Sequence, residues 1–171
     1  MKNFTIKKLM DAEPGELLQL TIRKQAALAF VIRKTAYETY LGVLDFPERA
    51  RPFIAIWGGN HECLSYGKGW IIKPIVGKET WLGNDAAYGS PGVIHFDVDL
   101  EILKLDASSE GAFGGAIDLA TLQDVSIPYN ALPVASWDLW TSRESLDAGD
   151  APLFSFGTAR RPHSGTGVGN G

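Results

Sequence analysis

Four side chains able to bind metal or move protons recur at every second position in His95-x-Asp97-x-Asp99-x-Glu101. On a continuous strand a period of two places them on one face. Carboxylates with an imidazole are the donors that a hard or borderline divalent cation takes. Neighbours on such a face lie about 6.6 Å apart, so only two of them readily reach one ion through bonds of about 2.3 Å. Other segments must supply the remaining ligands, and His61, Asp85 and Asp118 are the available donors. This pattern supports a metal-assisted hydrolase built on His61, His95, Asp97, Asp99 and Glu101, with a divalent metal as cofactor. The simpler reading is a solvated strand face whose charges oppose edge-to-edge aggregation.

Gly58-Gly59-Asn60-His61-Glu62 follows the apolar run Phe53–Trp57. It resembles the G-N-H-[DE] block of calcineurin-like metallophosphoesterases, in which the Asn and His help to hold two metals. The resemblance covers five residues. The family's upstream D-x-H and G-D-x-x-D and its downstream G-H-x-H are missing, and the chain has three histidines in all, His61, His95 and His163. Two cations about 4 Å apart need more ligands than this, so the fragment reads as a hairpin turn. A nuclease of the PD-(D/E)xK type needs an acid two before a Lys, and Glu101 and Lys104 are three apart. His61 and Cys63 are spaced to share a strand face, but a thiol–imidazole pair also needs an orienting third group. No phosphate-binding glycine loop, G-x-S-x-G, CxxC or HExxH occurs.

Five tryptophans are the other candidate functional groups. Trp70 and Trp81 flank an expected hairpin near Gly77, and Trp137 and Trp140 are three apart on an expected strand. Exposed Trp is favoured at interfaces, so Trp70, Trp81, Trp137 and Trp140 are the candidate binding residues.

Composition narrows the classes. A net charge of −4 conceals an asymmetry: residues 1–51 carry nine basic against six acidic side chains, and residues 52–171 carry seven against fourteen. The acidic remainder argues against a nucleic-acid binder. The longest apolar run, Ala26–Ile32, has seven residues, and a span needs about 20. Together with a charged N-terminus and a single cysteine, this makes a soluble cytoplasmic protein the expectation.

The elements that must position these groups are short. Alternation or β-rich runs predict strands at 18–22, 26–32, 39–44, 53–57, 70–76, 125–129, 134–141 and 153–156, with one long strand at 93–105. Residues 4–11 and 116–122 suit a strand or a helical turn, and 143–150 is turn-like. The expected fold is an all-β antiparallel sandwich or barrel of about ten short strands, with one or two short helices. One domain over 1–156 precedes a Gly-rich tail, 157–171. The functional expectation is a non-catalytic interaction module without a cofactor, binding a protein partner or itself. The alternatives are the metal-assisted hydrolase and a small-ligand barrel.

Overall fold

Leu18, Leu20 and Ile22 alternate with Gln19 and Thr21, and this period becomes strand β2 (Leu17–Ile22). In a computed structural model of the chain, which describes residues 4–77, 89–107 and 114–157, β2 lies in a six-stranded antiparallel sheet. The other strands are β1 (Thr5–Lys8), β3 (Gln25–Lys34), β4 (Thr39–Asp45), β5 (Phe53–Trp57) and β6 (Glu62–Gly67), in the order β1-β6-β2-β3-β4-β5.

This order forces the sheet to curl. β5 is at one edge and β6 is next to the other, four strand spacings away, or about 19 Å in a flat sheet. Gly58–His61 joins them, and five residue steps span at most about 17 Å. Register shifts at Leu17/Leu18, Leu28/Ala29 and Val31/Arg33 supply the bend. The Gly58–Glu62 fragment is therefore not a hairpin turn; it links two strands that are not neighbours. Inside the curl a first core gathers Leu18, Leu20, Ala29, Val31, Leu41 and Val43, with Leu9 of a 3-10 turn (Leu9–Asp11) packed against them. The curl does not close into a barrel. Side chains fill its interior, and this removes the lumen that a small-ligand barrel requires.

Two smaller sheets complete a β sandwich. One contains β8 (Ile94–Asp97), β9 (Leu100–Lys104), β10 (Ala116–Asp118) and β11 (Leu132–Val134), in the order β10-β9-β8-β11. The other contains β7 (Ile71–Pro74), β12 (Trp137–Trp140) and β13 (Phe154–Phe156), with β12 central. Their inner faces meet the outside of the curl in a second core, where Leu17, Phe30 and Ile32 pack with Ile94, Leu103, Ile117, Trp137 and Leu139. Pro74 ends the edge strand β7, where its missing donor is harmless. Among the described residues no helix is long and apolar enough to cross a membrane.

Several expectations need correction. Residues 93–105 form a hairpin, because Val98 and Asp99 turn the chain and Asp97 pairs with Leu100. Residues 125–129 are not a strand. The run 134–141 breaks at Ala135-Ser136, where the chain passes from one sheet to another. Part of 143–150 is a short helix, α1 (Arg143–Asp147), whose first turn is capped by the Ser142 hydroxyl accepting from Ser145 N at 3.2 Å. The tail beyond Gly157 lies outside the described residues.

Glu16 fastens the start of β2 to β1 and β6. It is 6 % exposed. Its carboxylate accepts from Ser65 Oγ at 2.5 Å, Lys7 Nζ at 2.9 Å and Glu13 N at 3.3 Å. Burial alone would raise its pKa, but the hydrogen bonds from Ser65, Lys7 and Glu13 together outweigh burial and hold it below 4.5. A lowered carboxylate pKa contributes stability that is fully present above the unfolded value, about 4.3, and is lost as pH falls through the folded value. Glu16→Ala should cost about 2–3 kcal/mol at pH 7, the worth of charged hydrogen bonds in a buried setting. Urea unfolding at pH 7 and pH 3 checks this, and the gap between wild type and variant should shrink at pH 3.

Candidate functional site

The three sheets leave a cleft of about 870 Å³ beside the β8–β9 hairpin. Trp70, Ile72, Phe96, Leu119 and Leu122 give it an apolar floor and walls. Asp97, Asp99 and Glu101 line its hairpin side, and Lys68 is also part of the lining.

Each side chain is there for a local reason. Trp70 is half-buried; its ring packs on Phe30 at 5.4 Å between centroids, and its indole N–H donates to Gly15 O at 2.8 Å. These contacts fix the ring and leave part of it to the cleft. Gly15 has φ of +89°, a conformation suited to glycine, at the turn that offers this carbonyl. The hairpin turn exposes Val98 and Asp99, and Asp97 Oδ1 accepts from Val98 N at 2.8 Å. Leu119 is held by its N–H donating to Glu101 O at 2.9 Å.

The charges do not balance. Lys68 already pairs with Glu13 at 2.7 Å. Among the described residues Asp97, Asp99 and Glu101 enter no ion pair. The hairpin side therefore presents three carboxylates beside aromatic surface.

No family model matches this chain, and no curated protein or solved structure matches it significantly. The reading of the cleft therefore rests on its own geometry.

That geometry divides the residues singled out in the sequence. Asp97, Asp99, Glu101 and Trp70 come together at the cleft. His95 does not join them. The turn at Val98-Asp99 folds the pattern back, so Glu101 pairs with Phe96 and His95 with Ile102 on opposite faces of the hairpin, while Asp97, next to the turn, still lines the cleft. His95 is completely buried, and its pKa is lowered by that burial and then by the positive charge of Lys104. His61 is exposed on the β5–β6 link, edge-on to Trp57 at 5.8 Å. Among the described residues no three His, Cys, Asp or Glu side chains converge to hold a cation. Asp118 spends its carboxylate on Thr121 Oγ1 at 2.5 Å and Ala120 N at 3.2 Å, and Asp85 lies outside the described residues. The five proposed ligands are thus spread over two sheets.

His61 and Cys63 form no nucleophile pair either. Cys63 is buried in the first core, and burial, then Glu16, pushes its thiol pKa up against the smaller pull of Lys7. Trp137 and Trp140 are both buried, so neither offers a binding face; their indole N–H groups donate to Gly92 O and Asp150 O. Trp81 lies outside the described residues. The sequence reading missed Phe96, Leu119 and Leu122, whose apolar character marks them equally well as core.

Proposed function

We propose that this chain is a non-catalytic interaction domain whose cleft takes a basic, partly apolar segment of a protein partner. A single observation carries the reading: a fixed, part-exposed Trp70 and Phe96 sit beside three carboxylates that no cation in the described chain offsets. Magnitudes define the partner further. Three exposed ion pairs at about 0.2–1 kcal/mol each, with one cation–π contact of about 0.5–2 kcal/mol, fall short of the roughly −8 kcal/mol of micromolar binding. Apolar groups must share the cleft with the cations, so an amphipathic basic segment fits better than a simple polycation. A reducing cytoplasmic setting suits the unpaired Cys63.

A second copy of the chain is the competing occupant. The edge strand β1 exposes Ile6, at 68 %, and Phe4 just before it is 52 % exposed. Its Lys7 and Lys8 are the charges that commonly blunt such an edge.

The test is a titration, followed by calorimetry, with a ten-residue peptide of alternating Arg and Leu and a control of alternating Glu and Leu. The Arg peptide should bind saturably, and the Glu peptide should not. Asp97→Asn/Asp99→Asn/Glu101→Gln should weaken binding about tenfold or more and flatten its salt dependence. Equal affinity for the two peptides, or for wild type and triple variant, sinks the proposal. Dimerisation through β1 in light scattering, without peptide binding, supports the competing occupant instead.

A further inference from the structure

The core-facing side of the second sheet runs on past the core. Direct partners on paired strands share a face, so Val134, Ile94, Leu103 and Ile117 form one row from β11 through β8 and β9 to β10. All four are buried. Two residues nearer the β8–β9 turn, the next row on the same face is Leu132, Phe96, Glu101 and Leu119. Leu119 is one step beyond β10 and keeps its place beside Glu101 by donating its N–H to Glu101 O at 2.9 Å. This second row is open. Leu132 is 48 % exposed, Glu101 is exposed, and Phe96 and Leu119 are half-buried. Phe96, Glu101 and Leu119 line the cleft, and Leu132 carries the row to the edge of the sheet. One carboxylate therefore stands among three apolar side chains, and it enters no ion pair among the described residues.

We propose that the cleft selects an extended segment that crosses these strands with the side-chain order apolar-x-(Lys or Arg)-x-apolar. The inference rests on the cleft being the binding site and adds the order in which its occupant must carry charge and apolar surface. Spacing sets that order. Neighbours in the row are about 4.8 Å apart, so Leu132 and Leu119 stand about 14 Å apart, with Phe96 about 5 Å and Glu101 about 10 Å along. An extended segment directs a side chain to one face about every 6.6 Å, so its first and fifth residues span about 13 Å. With these two on Leu132 and Leu119, the third residue falls between Phe96 and Glu101. A cation there meets an aromatic ring and a carboxylate together. An apolar side chain there would cover the carboxylate and leave it without a partner. A cation at the second or fourth residue points away from the row.

Two capped nine-residue peptides of equal composition test the order, Ser-Ser-Leu-Ser-Arg-Ser-Leu-Ser-Ser and Ser-Ser-Leu-Arg-Ser-Ser-Leu-Ser-Ser, titrated into the labelled protein and followed by NMR. The first should bind about tenfold more tightly, the worth of one exposed ion pair with one cation–π contact. Glu101→Leu makes the row wholly apolar and should reverse the choice, so that a peptide with Leu in place of the central Arg binds best. Leu132→Ser should weaken the first peptide several-fold and leave its salt dependence unchanged, because no charge is lost. Equal affinity for the two peptides overturns the proposal, as does no binding of either at millimolar concentration. If Glu101→Leu does not fold, Glu101→Gln decides: the preference should shrink, and an unchanged tenfold preference overturns the proposal. Equal affinities that both weaken in Asp97→Asn/Asp99→Asn/Glu101→Gln would leave the cleft as the binding site and remove only the order.

Discussion

Trp137→Ala should destabilise the fold by about 3–5 kcal/mol, the cost of emptying a large aromatic site in a packed core. Trp137 is wholly buried on the central strand of its sheet. Its ring stacks on Phe156 at 5.4 Å and meets Phe154 edge-on at 5.6 Å. Its indole N–H donates to Gly92 O at 2.8 Å, tying the third sheet to the start of the second. Truncation removes the apolar volume, both ring contacts and this cross-sheet hydrogen bond together. With a urea slope of about 1–3 kcal/mol/M, the midpoint should fall by at least about 1 M. A loss under about 1 kcal/mol would mean that the second core does not depend on this residue. Trp137→Phe should recover most of the packing, but not the hydrogen bond, worth about 1 kcal/mol.

Gly92→Ala should cost about 2–4 kcal/mol, because two penalties meet at one atom. Gly92 has φ of +93°, a conformation that L-residues rarely adopt, and an added Cβ would lie 2.0 Å from the Phe156 ring. Phe156 can move only by giving up its stack on Trp137. Gly92→Ala and Trp137→Ala should therefore combine to less than the sum of their separate costs, since each disrupts the same stack. Urea unfolding of the two single variants and the double variant measures the coupling. Simple additivity would show that Phe156 relaxes without disturbing Trp137.

Most of the β architecture was legible in the sequence because its strands carry the two-residue period. The strands β2 to β5, β7 and β13 lie at or within a few residues of where alternation and β-rich runs put them. The error that matters most for the site comes from a turn without the usual turn residues. Val98-Asp99 turns within Asp-Val-Asp-Leu, where Val keeps the strand pattern running, so one long strand was expected in place of a hairpin. That mistake carried into the site. The acidic residues do collect at one cleft, but through a turn and not along a face, and the same turn sends His95 and Glu101 to opposite sides of the hairpin.

The most direct test of the interaction reading is to map where a basic amphipathic segment lands. Amide and indole NMR spectra of the uniformly labelled protein, recorded as the alternating Arg–Leu peptide is added, supply the map. The account predicts saturable shifts at Trp70 and Ile72, at Phe96–Glu101 and at Leu119 and Leu122, with the edge strands β1 and β5 unmoved. Shifts confined to those edge strands, or none at peptide concentrations that saturate binding, would contradict it.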